Sequence, residues 1–172
     1  MPTRDLREWI ALLEREGELV RVSAEVDPDL EITEIVDRTV KAGGPALLFE
    51  HVRGSEHPLL VNQFGTERRM CLAFGAPSLD AVAARLEDVL EMQPPASLGE
   101  KLRGLKQLKS IADSPPHLVR KGACQEIVLT GDEIDLDALP IQRCWPGDPA
   151  PFITLPAVFT KDPRNGTRNV GM

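Results

Sequence analysis

The sequence contains no tyrosine at all, and aromatic residues make up only 4% of its 172 positions. That scarcity argues against a recognition surface built on aromatic anchors. Excess positive charge is missing too: the formal net charge is −7 and the pI is near 5.0. Such a chain repels phosphate backbones, so nucleic acid is not an expected partner. Cysteine is sparse, with Cys71, Cys124 and Cys144 widely spaced, odd in number and without a CxxC pair. Neither a disulfide framework nor a zinc site is signalled, and a reducing cytoplasm fits best. No run approaches the ~18 apolar residues of a membrane span, and the N-terminus opens on an amphipathic pattern rather than an apolar leader core. No P-loop, no GxGxxG after a strand and no HExxH is present.

What is present is the composition of a folded domain, 42% hydrophobic and 27% charged. Leu6, Trp9, Ile10 and Leu13 recur at helical spacing, which predicts a helix over 3–16 stopped by Gly17. Leu19-Val20-Arg21-Val22 reads as a strand. Asp27-Pro28 offers a cap and a first-turn proline for a second helix, with Ile32, Ile35, Val36 and Val40 on its buried face. Ala46-Leu47-Leu48-Phe49 and Leu59-Leu60-Val61 read as strands, and Ser78 as the cap of a helix carrying Leu79, Val82, Leu86 and Leu90. Helices alternating with strands indicate a layered α/β unit.

Between positions 94 and 123, Ser97-Leu98-Gly99-Glu100 has a capping-box pattern. A connecting helix is expected over 97–112, with a solvated basic face and Pro115-Pro116 behind it. Gln125-Glu126-Ile127-Val128-Leu129 reads as a strand. A proline-rich stretch then leads into a hairpin over 153–172, turned by Asp162-Pro163-Arg164-Asn165-Gly166. The final strand stops at Met172 without turn signal, cap or charged tail, so the chain is expected to be a fragment.

By residue chemistry alone no complete active site assembles. His51, His57 and His117 lack ligand spacing, and the acidic residues of segment 131–137 do not follow calcium-loop spacing. Cys144 has neither a nearby base nor a helix N-terminus to activate its thiol, and reads as a packed cysteine beside a buried Trp145. Thr154 and Asn169 on their own are a strand residue and a turn former.

The run Leu139-Pro140-Ile141-Gln142-Arg143-Cys144-Trp145-Pro146-Gly147-Asp148-Pro149-Ala150-Pro151-Phe152-Ile153-Thr154-Leu155-Pro156, closing with Arg168-Asn169-Val170-Gly171-Met172, resembles the UbiD family of reversible decarboxylases. Asp5-Leu6-Arg7-Glu8-Trp9-Ile10, Gly17-Glu18-Leu19-Val20-Arg21-Val22 and Glu25-Val26-Asp27-Pro28-Asp29-Leu30-Glu31-Ile32 extend the resemblance through the N-terminal half. In the family the motif continues past the position of Met172 through a Tyr and an Arg.

The resemblance implies a carboxy-lyase that removes CO2 from, or adds it to, an aromatic or α,β-unsaturated carboxylic acid. Its cofactors would be prenylated FMN, manganese and a monovalent cation, potassium, and the parent protein would be a homo-oligomer. Asn169 matches the family's manganese ligand, Thr167 the residue whose carbonyl helps hold the monovalent cation, and Thr154 and Met172 positions against the flavin. The family's catalytic Arg and Glu residues come from later sequence, so this chain by itself is expected to be inactive. The expected fold is α+β: a layered α/β domain over 1–115, then over 116–172 the opening hairpin of a flavin-binding split β-barrel. The rival readings are a non-catalytic binding or assembly module and a different split-barrel flavoprotein such as a flavin reductase.

Overall fold

A computed structural model of the chain describes residues 3–90 and 118–171. The expected helix over 97–112 and Met172 lie outside the described residues. Two compact units emerge: Met1–Pro77 together with Asp135–Met172, and Ser78–Ile134.

In the first unit, α1 (Leu6–Arg15) begins where Asp5 Oδ1 accepts the Glu8 N–H at 2.9 Å, and it closes on Gly17 at φ 70°. The carboxylate satisfies a first-turn donor, and glycine adopts the left-handed angle without a Cβ penalty. β1 (Leu19–Val26) pairs in parallel with β2 (Ala46–Val52), and α2 (Glu31–Lys41) makes the crossover that parallel strands require. β3 (Leu59–Val61) adds antiparallel to the other edge of β2, giving the order β1-β2-β3.

Alternation along β2 divides the core into two layers, because successive side chains point to opposite faces of a sheet. Leu47, Phe49 and Val61 pack with Val26, Val52 and Ile32 of α2, joined by Val22, Ile35, Val36 and Leu59. Ala46 packs with Trp9 and Leu13 of α1, joined by Leu19, Leu60, Leu72 and Ala73. Leu72 and Ala73 belong to α3 (Glu67–Phe74), a helix the hydrophobic pattern does not announce. Thr66 caps it and Gly75, at φ 59°, ends it.

Several expectations are corrected. Segment 125–129 is not a strand: Ala123–Gln125 forms a single 3-10 turn, and Ile127, Val128 and Leu129 are exposed, with no described strand beside them to complete a ladder. Helix α2 starts at Glu31 rather than next to Pro28. Asp27 Oδ1 accepts the Asp29 N–H at 2.8 Å, so the segment turns before it coils. Trp145 is exposed, not buried.

In the second unit, α4 (Leu79–Leu90) starts as expected at Ser78, whose Oγ accepts the Ala81 N–H at 3.1 Å, but it has no buried residue among those described. Back in the first unit, β4 (Val158–Lys161) and β5 (Arg168–Gly171) form an antiparallel hairpin, shorter than the span 153–172. The described architecture is α+β, with small open sheets.

Candidate functional site

A cavity of about 620 Å³ opens within the first unit, inside the range typical of small-molecule sites. One wall is β3 and the loop 62–65; the opposite wall is an irregular strap whose segments 139–142 and 152–155 lie side by side. Phe152 N–H donates to the Gln142 carbonyl at 2.9 Å and joins the two segments. Ser55 Oγ donates to the Ala138 carbonyl at 2.7 Å and ties the start of the strap to the sheet unit. Thr154 lines this cavity.

The loop wall is built from polar contacts that an apolar pattern does not reveal. Asn62 adopts φ 55°, and its Nδ2 donates to the Pro45 and Gly44 carbonyls at 2.9 and 3.3 Å. A Cβ on Gly65 would stand 1.7 Å from Asn62 Oδ1 and 3.1 Å from Arg69 Nη2. Any larger residue here would force the Asn62 side chain out of its place. Arg69 is 1% exposed, and its Nη1 meets the Glu18 carboxylate at 3.0 Å. Arg68 Nε approaches the other Glu18 oxygen at 3.1 Å, so one carboxylate serves two guanidinium groups. Gly65→Ala is expected to cost ~1–3 kcal/mol, the range for overpacking. A denaturation midpoint within error of wild type would show that the loop yields freely.

The hairpin carries the other expected site residues. β4 and β5 pair in the register Val158↔Gly171, Phe159↔Val170, Thr160↔Asn169 and Lys161↔Arg168. Directly opposed residues share a face, so Asn169 and Thr160 present an amide and a hydroxyl on one side, flanked by Val158 and Gly171. The turn between the strands uses the residues expected for it. Gly166 lies at φ 76°, Asp162 Oδ1 accepts the Arg164 N–H at 2.7 Å, and Asn165 Oδ1 accepts the Thr167 N–H at 2.7 Å. The Thr167 carbonyl accepts the Asp162 N–H at 2.9 Å, which leaves one lone pair for another partner.

Thr167 and Asn169 thus lie together at the head of β5, whereas Thr154 lies in the cavity wall, which neither of them lines. No group of three His, Cys, Asp or Glu side chains poised to hold a metal occurs among the described residues. The acidic groups held below their ordinary range are surface partners in ion pairs: Glu8 beside Arg4, Glu14 beside Arg21 and Asp29 beside Arg143. These are structural pairings and do not mark a proton-transfer site.

Two adjoining stretches match sequence profiles of known domains. Residues 10–106 match the N-terminal domain of 3-octaprenyl-4-hydroxybenzoate carboxy-lyase, and residues 117–172 match its Rift-related domain. The chain belongs to the UbiD family.

Solved structures agree. The UbiD-class enzyme HmfF from Pelotomaculum thermopropionicum, in complex with FMN, is 30% identical over 96% of this chain and 32% of its own, with a TM-score of 0.66. An evolved dimeric form of that enzyme, in complex with prenylated FMN, is 31% identical over 98% of this chain and 34% of its own, with a TM-score of 0.67. The vanillic acid decarboxylase of Sedimentibacter hydroxybenzoicus in its open form is 26% identical over 99% of this chain and 34% of its own, with a TM-score of 0.74. The chain spans about a third of the length of these relatives. UbiD membership sets aside the flavin-reductase alternative and establishes a relationship to decarboxylases.

Asn62, Gly65, Arg69 and the pairing of Arg143 with Asp29 are the structural residues that sequence reasoning missed. A Gly-Thr pair ahead of a short helix ending in Gly75 is the one local signal that could have found the first three.

Proposed function

We propose that this chain is the N-terminal part of a prenylated-FMN-dependent decarboxylase acting on an aromatic or α,β-unsaturated carboxylic acid, with manganese and potassium at the phosphate end of the flavin. The observation that carries the reading is the placement of Asn169. It stands within the stretch that matches the Rift-related domain, on an exposed strand face beside a threonine hydroxyl. Hard cations take oxygen donors, and neutral ones suit a site where a phosphate supplies the negative charge. Asn169 Oδ1 and the Thr167 carbonyl meet that requirement as part of a ligand set, so these residues fit the group.

On this reading Asn169 holds the manganese and the Thr167 carbonyl the monovalent cation. Thr154 and Met172 contact the flavin. When bound, the prenylated flavin supplies the electron sink for loss of CO2. The chain's own share of the work is to anchor and orient, and the proton-moving groups come from other sequence. The domain boundary at 115/116 and the split β-barrel over 116–172 belong to the same proposal, supported by profile matches that end at 106 and resume at 117. A homo-oligomeric parent accords with the evolved form of the Pelotomaculum thermopropionicum enzyme, which is dimeric. Among the described residues no helix is long and apolar enough to cross a membrane. A cytoplasmic site of action rests on the sparse, widely spaced cysteines.

The reading is tested by supplying prenylated FMN and manganese to two proteins, the 172-residue chain and a longer chain that continues it with native downstream sequence. CO2 release from aromatic and α,β-unsaturated acids is then followed. The longer chain is expected to turn over and the 172-residue chain is not, because positioning of reacting groups supplies up to ~7–11 kcal/mol of a barrier. Turnover by the short chain would overturn the assignment of catalytic groups. A longer chain that retains no flavin would favour the assembly module.

A further inference from the structure

We propose that Arg143 is a positioning residue that, through Asp29, latches the strap 138–155 to the start of helix α2, and that the latch can open without unfolding the sheet beneath it. Arg143 meets Asp29, 114 residues away in sequence, with Nε to Oδ1 at 2.7 Å and Nη2 to Oδ2 at 3.0 Å, two parallel bonds between a planar fork and a carboxylate. The backbones are joined at the same point. Leu30 N–H donates to the Arg143 carbonyl at 3.1 Å, and Arg143 N–H donates to the Pro28 carbonyl at 3.0 Å, forming a parallel bridge between Asp29 and Arg143.

The docking point is strained. Leu30 is held at φ 72°, a region that disfavours any residue with a Cβ, and it precedes α2 with no side-chain cap of its own. Arg143's carbonyl accepts the N–H of Leu30 itself, a donor at the helix start that the helix's own ladder does not serve. Release of the strap therefore lets Leu30 relax, which offsets part of the lost bonding. The pair is also partly open to water, with side chains 30% and 54% exposed, so salt screens it.

Gln142, next to Arg143, accepts the Phe152 N–H, so the latch governs both strands of the strap and with them the cavity wall that carries Thr154. Other contacts do not replace it. Asp148 is engaged by the Trp145 N–H at 2.9 Å within the strap's own turn, and apart from the two backbone bonds at Arg143 the one other described hydrogen bond from the strap to the rest of the first unit is that from Ser55 to Ala138. What the latch does to the flavin contact proposed for Thr154 rests on the function proposed above, whereas the latch itself does not.

Amide hydrogen exchange on the 172-residue chain tests it without any cofactor. In Arg143→Met and in Asp29→Asn, exchange at Leu30, Phe152 and the peptides of 138–155 is expected to rise about tenfold, as for loss of a charge-assisted bond. Amides of Ala46–Val52 are expected to exchange as in wild type. The charge-swapped double variant, Asp29→Arg with Arg143→Asp, should recover part of the protection, and 1 M NaCl should loosen the wild-type strap but leave the single variants unchanged. Unchanged strap exchange in both single variants overturns the proposal, as does a swap no better protected than either single change. A rise that spreads equally into Ala46–Val52 overturns it too, because the contact would then be a part of the global fold and not a latch.

Discussion

Phe49→Ala is expected to lower the stability of the chain by ~3–5 kcal/mol, the range for deleting a buried aromatic ring and leaving a cavity. Phe49 is fully buried at the centre of the sheet, paired with Val22 on one side and Leu59 on the other. Its ring faces the layer formed with Val26, Ile32 and Val52, so nothing mobile is at hand to fill the space it vacates. Small domains are stable by about 5–15 kcal/mol, and a loss of this size removes a large share of the total. The check is a urea titration followed by far-ultraviolet circular dichroism. The midpoint should fall while the slope stays constant, the mark of a stability change within a two-state transition. A loss under about 1 kcal/mol would mean that the two layers repack around the gap, and that Phe49 is not the centre of the core.

The same core shows which parts of the fold were readable from sequence. Strands β2 and β3 were legible as apolar runs bounded by Gly, Pro and charged residues, and helix α1 from apolar residues at helical spacing ahead of Gly17, although it starts at Leu6 behind an Asp5 cap and not at position 3. Helix α3 was not, because its most buried side chain is an arginine. A pattern that counts apolar residues scores Arg69 as surface. The ion pair with Glu18, 51 residues away, is what permits its burial. The start of α2 was misplaced for a related reason: Asp27, Pro28 and Asp29 look like a local cap, but the Pro28 carbonyl and the Asp29 carboxylate are engaged by Arg143, more than a hundred residues on, and Asp27 by Arg53 and by the Asp29 N–H. The false strand over 125–129 shows the converse error. Its composition is right, but composition cannot supply a neighbouring strand.

The candidate site was legible in a different sense. Spacing and residue type say only that Asn169 is polar and near a turn, and it was the resemblance of the surrounding run that singled it out. The structure adds the register, Asn169 opposite Thr160, and the turn carbonyl of Thr167 two residues away. Thr154 lines the cavity, and neither of these two does.

Asn169→Ala, made in a longer chain that holds prenylated flavin and manganese, is on the proposed reading expected to remove most of the bound metal and flavin. The amide oxygen would be a direct ligand joining protein to phosphate through the ion, and loss of even an outer partner of a metal site commonly costs 10–100-fold in affinity. As a strand residue alone, Asn169 would contribute little to the fold. It is exposed, its cross-strand partner is a threonine, and such pairs are worth roughly 0.2–1 kcal/mol. The two roles therefore predict different pairs of measurements. If Asn169 is a ligand, metal content and flavin absorbance fall together while the melting temperature of the flavin-free protein stays near that of its parent. Asn169→Asp adds a second arm, since it keeps an oxygen donor and introduces a charge beside the phosphate. It should hold metal better than alanine but flavin less well than asparagine. Wild-type occupancy of both metal and flavin in Asn169→Ala would leave Asn169 a strand residue, and the metal assignment would fall with it.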